Sequence, residues 1–144
     1  MLEDRFAVVG NRYAPYRSWN EHRIAGLLDK YGLPFIYEKP TAVVDSGQVR
    51  IWYPDFTLSY GLLIEYFGIG GNAEYDRRTQ HKLTAYQQNQ MDVVALYQRD
   101  MGRGWDDHLL RRIDTALEHR LTGYRSAIGR AYMAPPPRPS PPYR

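Results

Sequence analysis

The stretch that decides the fold is YPDFTLSYGLLIEYFG, residues 53–68. Glu65 lies inside GLLIEYFG, an apolar run that reads as a buried β-strand. Burying a carboxylate is costly unless a charge partner or a metal compensates it. Asp55 stands ten residues upstream, directly after Pro54, which cannot donate to a strand ladder and marks an edge or bulge. Its flanks, IWY and FTL, are strand-like. A short turn around Ser59, Tyr60 and Gly61 folds the two strands into an antiparallel pair and sets Asp55 opposite Glu65. Two carboxylates at that separation repel each other unless a cation lies between them. With oxygen ligands and no cysteine in the chain, Mg²⁺ or Mn²⁺ is favoured over zinc.

The flanking segments supply the layers. Upstream, SWNEHRIAGLLDKYG carries a capping-box spacing at Ser18 and Glu21, an apolar face of Ile24, Ala25, Leu27 and Leu28, and Gly32 as a stop. PFIYEKPTAVVD and VRIWYPDFTLS then read as one strand each, parted by the turn signal Ser46-Gly47. Downstream, AEYDRRTQHKLTAYQQNQ reads as a helix capped by Asn72, with Tyr75, Thr79, Leu83 and Tyr86 on one face. DVVALY is an interior strand. WDDHLLRRIDTALEHRL closes with a helix over 105–122 using Leu109, Ile113, Ala116 and Leu117. The expected order is α-β-β-β-α-β-α, an α/β fold with a mixed sheet flanked by helices. One domain is expected over 1–129, with its core at 16–97. The last ten residues, PPPRPSPPYR, hold six prolines and read, with the rest of 130–144, as a solvated tail.

Composition narrows the function. The net charge is +3, but three arginines lie from Arg130 onward without an acid, so the body is neutral and any basic surface must be local. Lysine is scarce: Lys30, Lys39 and Lys82 are the whole set. No apolar run approaches the ~20 residues that span a bilayer, and the start, MLEDRFAVVGNRY, lacks a secretory pattern. A cytoplasmic protein without a membrane partner is the expectation. The four histidines have no paired spacing, and no phosphate-loop motif occurs; any helicase partner would be a separate chain.

Taken together, SWNE, FIYEKP, YPDF, IEYFG and then Tyr75, Lys82 and Tyr86 resemble the PD-(D/E)xK nuclease superfamily. The closer resemblance is to its small restriction-endonuclease-like domains found alone or attached to superfamily-1 helicases. It spans residues 16–97 and departs from the superfamily at Phe67, which holds the usual lysine position. The resemblance implies a metal-dependent endodeoxyribonuclease in repair, recombination or restriction. Asp55, Glu65, the backbone carbonyl of Phe67 and Glu21 would hold one or two Mg²⁺. The same comparison moves the lysine to Lys82 on the following helix. Depth agrees: Glu65 lies ~10 Å inside the strand end, and Lys82 ~13 Å along the returning helix. Arg77, Arg78 and Asn72 would contact the DNA backbone. A single small site cuts one strand, so duplex cleavage would need a homodimer. The rival expectation is a degenerate nucleic-acid-binding or assembly module on the same fold.

Overall fold

The computed structural model describes residues 13–133; the first residues and the PPPRPSPPYR tail lie outside them. The order is α1 (Trp19–Lys30), β1 (Phe35–Tyr37), β2 (Thr41–Asp45), β3 (Gln48–Trp52), β4 (Phe56–Leu58), β5 (Leu63–Phe67), α2 (Ala73–Gln88), β6 (Val93–Tyr97) and α3 (Trp105–Met133). It is an α/β fold with a mixed four-stranded sheet, ordered β1-β4-β5-β6, and a separate hairpin of β2 and β3. β1, β4 and β5 are antiparallel neighbours, whereas β6 runs parallel to β5 after the α2 crossover.

The upstream strands depart from the sequence expectation. Each of the two strands read between residues 34 and 59 is two strands, and both breaks fall at prolines. The first passes through Glu38, in the left-handed region at φ 51°, then Lys39 and Pro40. The second passes through Tyr53 and Pro54. Proline offers no N–H to a ladder, so β2 and β3 leave the main sheet as a hairpin. Their turn, Ser46-Gly47, has φ of 52° and 78°, the paired positive values of a tight two-residue hairpin turn.

The sheet has one core on each face. On one, α1 and α3 bury Ile24, Leu28, Leu109 and Ile113 against Phe56, Leu58, Ile64, Val94 and Leu96. On the other, Ala85 and Tyr86 of α2 and Val43 of the hairpin pack on Leu63. The alternation of β5 therefore sends Ile64 to the first layer and Leu63, with Glu65, to the second. Asn89, just past α2, clips the hairpin's outer edge: its amide accepts from Val44 N–H at 2.9 Å and donates to Val44 C=O at 2.9 Å. That covers backbone groups an edge strand would otherwise expose.

Local signals explain the helices. Ser18 Oγ accepts from Glu21 N–H at 3.1 Å and donates to Glu21 Oε2 at 2.8 Å, closing the first turn of α1. Asn72 Oδ1 accepts from Tyr75 N–H at 3.1 Å and starts α2. The closing helix runs to Met133 instead of ending near 122, so residues 130–133, read as part of the solvated tail, are helical. Among the described residues no helix is long and apolar enough to cross a membrane.

Phe56 is fully buried between the helical layer and the aromatic rings of Phe35 and Tyr37. Phe56→Ala should lower unfolding free energy by about 3–5 kcal/mol. Val49→Ala, at a side chain 72% exposed, should cost under about 0.5 kcal/mol. Urea denaturation of the two variants measures the contrast.

Candidate functional site

The β4–β5 register places Phe56 opposite Ile64, so the next pair outward is Asp55 and Glu65, on the face that α2 covers. The two acids are locked together through the backbone. Glu65 Oε1 accepts from Asp55 N–H at 2.7 Å, and Asp55 Oδ2 accepts from Tyr66 N–H at 2.7 Å. Asp55 is 6% exposed and Glu65 1%.

Each remaining oxygen meets a donor from another element. Lys82 of α2 places Nζ 2.5 Å from Glu65 Oε2, so the lysine reaches the strand as the depth comparison expected. Tyr86, one turn further on, donates to the same oxygen at 3.1 Å. Burial and the Glu65 charge push the Tyr86 phenol up, which keeps it a donor. Asp55 Oδ1 accepts from Arg17 Nη2 at 3.1 Å.

Arg17 is the site residue that sequence reasoning missed. Its guanidinium also lies 2.9 Å from Glu38 and 3.9 Å from Glu21. It stands one residue before the N-cap of α1, where no periodicity or motif marks it; only the packing of α1 over the strand ends brings it to Asp55. Glu38 lies within FIYEKP but was not singled out there, and its contact depends on the left-handed turn that ends β1. Tyr37 joins the network by donating to Glu21 Oε1 at 2.8 Å.

Glu21 is buried, but its hydrogen bonds go to Ser18 and Tyr37, and it lies 3.9 Å from the Arg17 guanidinium that also holds Asp55. The capping role takes this carboxylate. Phe67 lines the cleft beside the pair, with Tyr66, Tyr75, Arg78, Thr79 and Lys82. This cleft has a volume of about 380 Å³. Arg77 and Arg78 line a second groove next to it. Asn72 lines neither, and its side-chain oxygen is committed to the α2 cap.

The charges do not balance. Among the described residues four carboxylates, Glu21, Glu38, Asp55 and Glu65, are met by two cations, Arg17 and Lys82. Burial first, and the neighbouring Glu65 charge second, push Asp55 up to about 7. The excess is relieved by a proton on Asp55 or by an added cation. Among the described residues no group of three or more His, Cys, Asp and Glu side chains is arranged to hold a metal ion. The donor set is the two carboxylates, which suits Mg²⁺: that ion is commonly held by one or two carboxylates, water and substrate phosphates.

No family model matches the chain, and neither a curated protein nor a solved structure does.

A stability prediction follows from Asp55. Its carboxyl holds a proton more tightly in the folded chain, about 7 against an ordinary 3.8, so folding takes up a proton between those values. Stability is therefore full below about pH 4 for this group and is lost as pH rises through about 7, about 4 kcal/mol in all. Metal-free protein should show that loss in thermal unfolding between pH 5 and 8. Asp55→Asn, neutral throughout, should flatten it.

Proposed function

We propose that the protein is a cytoplasmic, metal-dependent phosphodiesterase that cuts DNA, with Asp55 and Glu65 as the cation-binding pair. The observation that supports this best is the interlocked carboxylate pair, buried in a cluster whose four carboxylates are met, among the described residues, by two cations. A bound Mg²⁺ would lower the pKa of a water molecule and neutralise charge developing on the phosphate.

The chain's own residues do the rest. Tyr66 N–H and Asp55 N–H hold the two carboxylates in register, so the acceptor oxygens are positioned before substrate arrives. Lys82, 32% exposed, keeps its ammonium on Glu65 and faces the cleft. From there it screens a phosphate and holds the attacking water by hydrogen bond. Arg78 lines the same cleft and offers a second cation to the phosphate. Arg17 neutralises Asp55 and lies half exposed beside it, within the reach of an incoming phosphate. These contacts position a backbone without reading bases. Cutting both strands of a duplex would take two copies of the chain, and coupling to unwinding would take a helicase supplied in trans.

A second reading has its own observation. Every oxygen of Asp55 and Glu65 already has a protein donor, and the usual superfamily lysine position is Phe67. That arrangement also fits a module that binds DNA and does not cut it.

The test has two readouts. With Mg²⁺ or Mn²⁺ the protein should nick plasmid or cut branched DNA, and EDTA, Asp55→Ala or Glu65→Ala should abolish it. Lys82→Ala should slow cutting by about 10²-fold or more. Independently, Mg²⁺ should raise the melting temperature at pH 8 and leave Asp55→Asn unmoved. Protein that binds DNA, cuts none of these substrates and shows no thermal response to either cation is the non-cutting module.

A further inference from the structure

The cleft at Asp55 and Glu65 adjoins a larger groove. This groove, about 660 Å³, lies between the end of β3 and the first half of α2. It shares Arg17, Arg78 and Lys82 with the carboxylate cleft, so the two adjoin. A chain lying in one therefore runs past the other.

Its walls differ in chemistry. The α2 wall presents Arg77, Arg78, His81 and Lys82, against one acid, Glu74. Lys82 is paired with Glu65 and His81 with Asp45 at 2.9 Å. Among the described residues Arg77 has no ion-pair partner, and Arg78 only lies over the Tyr75 ring at 6.0 Å. Two guanidinium groups are thus left for an anionic occupant. The opposite wall is apolar and aromatic: Ile51 and Tyr53 are each 54% exposed. Trp52 between them is fixed, its ring edge-on to Tyr86 at 5.5 Å and to His81 at 6.5 Å. It anchors the hairpin end, and Tyr53, 54% exposed, follows it and lines the same groove as the two arginines.

A basic wall facing an open aromatic ring is the arrangement that holds single-stranded nucleic acid. Phosphates follow the cations while unstacked bases lie on the ring. In a duplex the base faces are already stacked on each other, and an exposed ring gains nothing. We infer that the groove binds a single strand of DNA, with a base stacked on Tyr53 and phosphates on Arg77 and Arg78. Resting on the phosphodiesterase reading, the same strand continues past Lys82 to Asp55 and Glu65. The substrate class is then a single strand or the unpaired arm of a branched DNA, not a continuous duplex.

Binding can be measured apart from cutting. With full-length protein in EDTA, fluorescence anisotropy compares labelled oligothymidylate of about 16 nucleotides with a duplex of the same length. The single strand should bind more tightly. Tyr53→Ala should weaken it about tenfold and Tyr53→Phe should leave it unchanged, since stacking needs the ring and not the hydroxyl. Arg77→Ala should lower the slope of log affinity against log salt by about 0.7. A preference for duplex, or affinity untouched by Tyr53→Ala, overturns the groove assignment. Metal-dependent cutting is scored separately on the same oligonucleotides. Protein that cuts duplex with no dependence on Tyr53 overturns the groove and keeps the nuclease. Protein that binds single strands through Tyr53 and cuts nothing keeps the groove and sinks the nuclease.

Discussion

The reciprocal bonding of Asp55 and Glu65 is the constraint on which the rest of the structure turns. Each carboxylate accepts from a backbone N–H of the neighbouring strand, Asp55 from Tyr66 and Glu65 from Asp55. The side chains thereby continue the β4–β5 ladder where Pro54 has ended its backbone pairing. The cost of burying two like charges is offset by Lys82, Tyr86 and Arg17. Those donors come from α2 and from the residue before the α1 cap, so both helical layers must dock correctly for the pair to be tolerated. A buried pair of this kind weighs against any docking that strips one partner, because an uncompensated buried carboxylate is far costlier than a paired one.

That constraint also separates two roles that share a residue type. Glu21 and Glu65 are both buried glutamates, at 5% and 1% exposure. Glu21 is satisfied by the hydroxyls of Ser18 and Tyr37 and closes a helix turn. Glu65 is satisfied by an ammonium, a phenol and a backbone amide at the floor of an open cleft. The first does not line that cleft. The second lies at the meeting point of two grooves whose far walls are basic and aromatic.

Much of the fold was legible in the sequence. Periodicity located α1, α2 and the start of α3, and the caps at Ser18 and Asn72 close the turns that their side chains suggested. The opposition of Asp55 and Glu65 followed from strand alternation and a short turn. The split of the upstream strands was carried by Pro40 and Pro54, but an unbroken β-branched and aromatic pattern overrode that signal, since pattern does not say when a strand changes sheets. The extension of α3 to Met133 was obscured by Gly123 and Gly129, which weaken a helix without ending it.

The sequence by itself determined the starts of the three helices and the facing carboxylates, and the resemblance pointed to Lys82 among three lysines. These depend on spacing along one chain segment, where backbone geometry alone fixes which residues share a face. Only the tertiary structure decided that Arg17 and Glu38 join Asp55, that Glu21 is held by Tyr37, and that the hairpin end faces α2 across a groove. Those contacts link elements through packing of the two layers on the sheet, and no periodicity within a segment encodes the position of another.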